Sequence, residues 1–393
     1  MGKGCQTVIP VLFWFLISLV IYCYLGYPVL LSFIAGLKHR PVKKAVREPS
    51  VSVVLSVYNE EDVIERKVRN LLALDYPPAK MEIIIGSDGS SDKTNEMVKK
   101  FDDKRIRFED NPQRRGKMAV LNELVNMAQG EIVVFADARQ DFAVNAVKEL
   151  VANFADPQIG CVSGELIFTP RQDTQGATAK GVNMYWNYEK FLRKQESRIH
   201  SMLGATGAIY AIRRELFTEI PPQVILDDMF VPLKIIQKGY RAILDESAQA
   251  FDDAADSPRE EYRRKARTLS GNYQIFAMFP GMFDPFRSPI ALQLFSHKLL
   301  RVLAPFLLIA VFLINTLLAG EGFYRGVLFA QIVFYGMALT GALARHQKYG
   351  ILRLVSRMCY IPYVFCLLNF SALVGFLRFA GARQESAWEK AKR

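Results

Sequence analysis

Hydrophobic and polar positions follow two regimes along the chain. Residues 8–37 read VIPVLFWFLISLVIYCYLGYPVLLSFIAGL, almost without charge, and exceed the roughly 20 residues a helix needs to cross a bilayer. The run is also longer than the apolar core of a cleaved signal peptide, about 7–15 residues, and has no clear small-x-small cleavage site. It predicts an uncleaved membrane anchor. Residues 302–318 and 326–344 are further spans, and residues 358–377 are apolar but contain Pro362 and Asn369. None of these spans carries an ionisable residue well inside it. The long block between the first span and the others alternates polar and apolar positions in the ordinary way and predicts one soluble domain.

Inside that block the period switches repeatedly. Residues 51–57 are a short run rich in β-branched residues, a strand; from Glu60 the spacing turns helical, with Val63, Val68, Leu71 and Leu72 on the apolar face. Pro77-Pro78 ends the unit. A second strand, MEIIIGSDGSSD, runs into a turn where Ser91 or Asp92 can cap a helix reaching Lys100. A third strand near residues 105–109 precedes NPQRRGK. A helix with Val120, Leu121, Leu124 and Val125 inward then stops at Gly130, and EIVVFAD is the fourth strand. Strands and helices in this order predict an α/β, mostly parallel sheet covered on both faces. Ligands of such sheets bind beyond the carboxyl ends of the strands. There the sequence has Asn59-Glu60, Ser87-Asp88-Gly89 and Asp137.

The formal charge of +11 over 393 residues invites a nucleic-acid reading, but its distribution points elsewhere. Lys38, Arg40, Lys43, Lys44 and Arg47 follow the first span, and Arg345, Lys348, Arg353 and Arg357 follow the third. Such juxtamembrane clusters mark the cytoplasmic side and attract anionic lipid, so a lipid bilayer and no nucleic acid is the expected partner. Four full crossings place the basic tail outside; either the last apolar segment is re-entrant or interfacial, or the tail is tolerated there. Cys5, Cys23, Cys161, Cys359 and Cys366 form neither a CxxC nor a Cys/His ligand cluster.

Asp88 is a strand-end carboxylate that can accept hydrogen bonds from a nucleobase or ribose, because Ser90, Ser91 and Asp92 suffice for capping. Arg114-Arg115-Gly116-Lys117 sets cations before a helix, either as a solvated basic loop or as a diphosphate neighbour. Asp227-Asp228 opens an apolar-periodic helix, where one acid can cap and the other act as general base on a hydroxyl. Arg264 and Arg267 share a helix face and suit a phosphate clamp or a membrane-surface helix. Together these residues suit substitution at a sugar's anomeric carbon, with cations stabilising a departing nucleoside diphosphate.

With SVYNEED, IIIGSDGSSDKT, RRGKMAVLN, FADA, LDD and RRKART in this order, the chain resembles the membrane-integrated family 2 glycosyltransferases. These are the inverting GT-A group that includes cellulose, chitin and hyaluronan synthases. The resemblance implies a cytosolic GT-A domain (50–270) between an N-terminal anchor (1–37) with a basic linker (38–49) and interfacial helices (271–298), followed by membrane helices (299–378) and a basic tail (379–393). It implies a multi-pass protein of the inner cell membrane that uses a UDP-sugar and a glycan or lipid-linked acceptor. By position, Asn59 and Glu60 line the nucleotide pocket, Asp88 contacts the uridine, and Lys117, Arg264 and Arg267 neighbour the diphosphate. Asp137 holds a divalent cation (Mg²⁺ or Mn²⁺), Asp228 is the base with Asp227 beside it, and Gly204, Ala205, Thr206 and Gly207 line the acceptor site.

Two departures stand out. Asp137-Ala138-Arg139 lacks the second acid of Asp-x-Asp, so Arg139 either adds positive charge to the site or pairs with an acid such as Asp141. The Gln-x-x-Arg-Trp motif of processive synthases appears as Arg264-Lys265-Ala266-Arg267-Thr268, without its Gln and Trp. The expected product is therefore one or a few transferred sugars. A processive synthase and a catalytically inactive UDP-binding scaffold are the alternatives.

Overall fold

A computed structural model describes residues 3–169, 177–253, 258–344 and 351–381, with side chains described for 8–169, 186–252, 265–343 and 358–381. The chain falls into two compact units. One comprises Met1–Phe33, Gln172–Leu192 and Ala255–Arg383; the other comprises Ile34–Arg171 and Arg193–Ala254.

In chain order the elements begin with helices α1 (Lys3–Ile21) and α2 (Tyr27–Leu37), joined without a break by a π-helical turn, Tyr22–Gly26. Strand β1 (Val51–Val57), α3 (Ile64–Leu72), β2 (Met81–Asp88), α4 (Thr94–Lys99), β3 (Ile106–Asn111), α5 (Lys117–Met127) and β4 (Ile132–Ala136) follow. Then come β5 (Asp141–Phe142), α6 (Ala146–Ala152), β6 (Ile159–Thr169), α7 (Ala177–Ile199), β7 (Ile209–Arg213), α8 (Asp227–Gln237) and β8 (Arg241–Asp253). The remainder is helical: α9 (Pro258–Met278), α10 (Ala291–Gln293), a π-helical stretch Leu294–Leu299, α11 (Leu300–Leu318), α12 (Gly322–Ala344) and α13 (Ile351–Ala380).

The eight strands form one sheet in the order β3-β2-β1-β4-β7-β6-β8-β5. Its first four neighbours are parallel, as the alternating strand–helix pattern predicts. β1 is buried along its whole length, with Val53, Val54 and Leu55 at 0% exposure; each such side chain contributes about 1.5–3 kcal/mol of burial. The sheet then reverses, because β7 runs antiparallel to β4 with Ala136 opposite Ile209. That register brings the segment entering β7, residues 203–207, to the same edge as the carboxyl end of β4.

Among the described residues four helical runs are long and apolar enough to cross a membrane: Val8–Leu37, Ala291–Leu318, Gly322–Leu343 and Met358–Ala380. The last belongs to one uninterrupted helix of 30 residues, about 45 Å at 1.5 Å per residue, rather than a re-entrant hairpin. The second run starts upstream of the expected residue 302 and takes in His297, Lys298 and Arg301. Its unit supplies the reason. Glu189 of α7, 5% exposed, pairs with Arg301 and lies 3.2 Å from His297 Nε2 and 3.7 Å from Lys298 Nζ. The Tyr188 ring stacks 4.8 Å from the Arg301 guanidinium. Burial works to raise the Glu189 carboxyl, but the charges of Arg301, Lys298 and His297 outweigh it and hold the group well below the usual carboxylate range.

Candidate active site

Three strand ends deliver the polar residues that the sequence places there. At the end of β1, Asn59 adopts φ +52°, the sole left-handed non-glycine residue among those described. Asparagine tolerates this conformation because its amide can bond locally, and its Oδ1 accepts the Ser91 amide at 2.8 Å. Glu60 is buried at 5% exposure, and its amide donates to Thr94 Oγ1 at 2.8 Å. Asp92 Oδ1 accepts the Thr94 amide at 3.0 Å and so caps α4, as its position suggests.

Asp88 differs from its expected free state. Its carboxylate, 4% exposed, accepts the amides of Arg115 (2.6 Å) and Gly116 (2.9 Å). The Arg-Arg-Gly-Lys turn is thereby clamped to the end of β2. Gly89 permits the clamp: it sits at φ +69°, and a Cβ there would lie 2.8 Å from the Arg114 backbone nitrogen. The cation that the clamp positions most directly is Lys117, the first residue of α5.

Lys117 Nζ donates to Asp137 Oδ1 at 3.1 Å and lies 3.7 Å from Asp227 Oδ2. Burial pulls its ammonium down, but the charges of Asp137, Asp227 and Asp228 outweigh it and hold it above its ordinary value. Neither Asp227 nor Asp228 caps α8, whose preceding residue Leu226 makes no side-chain cap bond. Instead both acids face the cluster. Burial, and after it the charge of Asp227, push the Asp228 carboxyl up to about 6, against the opposing pull of Arg193 and Lys117.

The proposed acceptor segment wraps the same acid. The Ala205 amide donates to the Asp228 carbonyl at 2.7 Å. A Cβ on Gly207 would stand 3.3 Å from Asp228 Oδ2 and one on Gly204 3.5 Å from the Asp228 carbonyl oxygen, so both glycines leave this acid's surroundings open. Thr206 is fixed by Ser163, which accepts its amide at 2.8 Å, and by Arg193, which donates to its hydroxyl at 3.1 Å. Arg193, near the end of α7 and 13 residues before Thr206, is not among the residues the sequence singles out.

The segment after Asp137 is held from α3. Lys67, 0% exposed, donates to the Gln140 carbonyl at 2.6 Å and sits 4.0 Å over the Phe142 ring. Burial pushes its ammonium down to about 7, although Asp141 and Asp137 oppose the shift. Its position between Ile64 and Leu71 on the buried face of α3 was a readable signal. Arg66 donates to the Arg139 carbonyl at 2.7 Å and pairs with Asp141 at 3.4 Å. Of the two roles the sequence leaves open for Arg139, pairing with Asp141 is therefore filled by Arg66 instead, and the Arg139 side chain is exposed.

The structure therefore gathers Asp137, Asp227, Asp228, Lys117 and residues 204–207, with Asn59, Glu60 and Asp88 shaping the neighbouring strand ends. Arg267 is half-buried on α9 of the other unit, and the side chain of Arg264 lies outside the described residues. Among the described residues no group of three or more His, Cys, Asp or Glu is arranged to hold a metal ion.

The family model for glycosyl transferase family 2 matches residues 52–220. A poly-beta-1,6-N-acetyl-D-glucosamine synthase of Staphylococcus aureus (strain MSSA476) is 25% identical over 232 residues, 57% of this chain and 55% of that protein. A beta-monoglucosyldiacylglycerol synthase of Trichormus variabilis is 34% identical over 118 residues, 29% of this chain and 25% of that protein. The chain thus spans about half of the first relative's length and a quarter of the second's. Among solved structures, the mannosyltransferase PcManGT from Pyrobaculum calidifontis, in complex with GDP-Man and Mn²⁺, superposes with a TM-score of 0.71 at 24% identity. The superposition covers 95% of this chain and 99% of that one. At that identity the likeness speaks for the fold, a GT-A domain accompanied by apolar helices.

Proposed function

For a chain that carries a family 2 glycosyltransferase domain, we propose inverting transfer of a hexose from a UDP-sugar to a hydroxyl of a membrane-proximal glycan or lipid-linked acceptor. The observation that carries this reading is the convergence of Asp137, Asp227 and Asp228 on Lys117, with residues 204–207 folded around Asp228. Asp228 takes the acceptor proton; its raised pKa suits a base working near neutrality. Asp227 tunes that base through its charge. Asn59, Glu60 and Asp88 border the nucleotide, Asp88 through the turn it clamps. Lys117 neighbours the diphosphate.

The donor set fits a hard divalent cation, Mg²⁺ or Mn²⁺. Such ions are commonly bound through one or two carboxylates together with substrate phosphates rather than by an all-protein cage. Asp137 offers one carboxylate and Asp227 a second beside it. The bound cation would neutralise charge on the departing diphosphate.

The setting we propose is the inner cell membrane, with the catalytic domain cytosolic and the pathway that of polysaccharide or glycolipid synthesis. Relatives of both kinds support this. A processive synthase is the second reading, favoured by the poly-N-acetylglucosamine synthase relative and opposed by the missing Gln and Trp around Arg267. The test is nucleotide release from a panel of UDP- and GDP-sugars by the purified chain, with and without Mg²⁺ or Mn²⁺, and with products resolved by size. Release of UDP with short products supports the proposal. High polymer supports the second reading, and binding without turnover of any donor supports an inactive scaffold.

A further inference from the structure

Resting on the sugar-transfer reading, we propose that Lys117 is an internal counter-ion that bars free divalent cation from Asp137, so that the cation enters only together with a nucleoside diphosphate. Three features of the site carry this.

The first is occupancy. The Lys117 ammonium lies 3.1 Å from Asp137 Oδ1 and 3.7 Å from Asp227 Oδ2. Any cation using those oxygens must displace it or sit within a few ångströms of a like charge. The second is the rigidity of its root. Asp88 fixes the amides of the two preceding residues, so the lysine backbone stays in place and only the side chain can leave. The third is ligand poverty. Arg139 stands where the resemblance places a second acid, and no cluster of three acidic, His or Cys ligands is found among the described residues. Water and phosphate oxygens must then complete any cation site here, and of these only the phosphate brings charge to hold the ion.

A diphosphate removes the obstacle by offering the ammonium another anion. As Lys117 turns from Asp137 toward the phosphates, Asp137 is freed at the moment when the phosphate oxygens arrive. Nucleotide and cation therefore bind with positive coupling, and the coupling is reciprocal. One side chain sets it, without a lid or a domain movement.

The full-length chain in detergent is titrated with Mn²⁺ alone, and free Mn²⁺ is read by electron paramagnetic resonance. The titration is repeated with saturating UDP, and UDP affinity is measured with and without Mn²⁺. In the wild type we expect weak Mn²⁺ binding alone and at least about tenfold tighter binding with UDP. Lys117→Met should bind Mn²⁺ alone about tenfold more tightly than the wild type and lose most of the coupling. Lys117→Arg, which keeps the charge, should resemble the wild type, and Asp137→Asn should lose Mn²⁺ binding in every background. Equal affinity of wild type and Lys117→Met for Mn²⁺ alone, or undiminished coupling in Lys117→Met, would overturn the counter-ion role while leaving the donor reading intact. Failure of both UDP and GDP to bind under any condition would remove the donor reading, and this inference with it.

Discussion

Where Asp137, Asp227 and Asp228 meet Lys117, acids outnumber the nearby ammonium; at Glu189 a single carboxylate is met by Arg301, Lys298 and His297. The Glu189 cluster is screened from water and the strand-end cluster partly so, yet they solve the same electrostatic problem in opposite ways. At Glu189 the basic groups supply every charge the carboxylate needs, and its proton is held off far below neutrality. That pattern lets ionisable residues sit inside an apolar helical run. In the strand-end cluster burial, and after it the charge of Asp227, lift the Asp228 carboxyl to about 6 in spite of Arg193 and Lys117. A surplus of partly buried negative charge is costly to hold without a partner, and such surpluses gather at functional sites. The first cluster has what it needs from its own unit; the second is built to be completed.

Substitutions can break this contrast. Asp137→Ala removes the carboxylate nearest to Lys117 and should lower transfer by about 10²–10³-fold, the scale of losing one preorganised electrostatic group; initial rates of nucleotide release check it. Glu189→Gln should leave the affinity for nucleotide unchanged but remove the carboxylate that Arg301, Lys298 and His297 share, costing about 3–5 kcal/mol. The readout is a lowered unfolding midpoint in detergent. If that variant loses nucleotide affinity while keeping its stability, the two clusters are not of different kinds. The smallest effect belongs to Arg139→Asp. With its side chain exposed, this change should alter stability by less than about 0.5 kcal/mol and leave metal-dependent transfer within about threefold. A loss of tenfold or more would make Arg139 a working cation of the site.

How far the sequence announces these features depends on how local their causes are. β1, β2 and β4 are legible because strands buried on both faces read as unbroken apolar runs, and their ends expose Asn59, Asp88 and Asp137 to inspection. The mixed half beyond β4 is not, since β8 reads RAILDESAQAFDD and owes its place to a parallel pairing with β6 and a short antiparallel one with β5 rather than to its own pattern. Asp88 was legible as a strand-end acid, but its engagement with a turn 27 residues later was not. Lys67 could have been found from its place on an apolar helix face. Arg193 could not, because its nearness to Asp228 comes through Thr206, to which it is joined by a hydrogen bond that its own helical segment does not announce. The early start of the second apolar helical run was hidden by His297, Lys298 and Arg301, whose charges are answered by Glu189, 112 residues before Arg301.

The central claim, that Asp228 is the base of a sugar transfer, is tested most directly by the pH profile of kcat/KM for the wild type and Asp228→Asn, with UDP affinity measured alongside. A carboxyl whose pKa is raised must lose its proton before it can accept one, so the wild-type rate should rise as the pH passes through about 6 and level off above. Asp228→Asn should keep its UDP affinity, lose transfer by about 10²–10⁴-fold and show no such rise. Near-normal transfer by Asp228→Asn, with the same pH dependence as the wild type, would contradict the account.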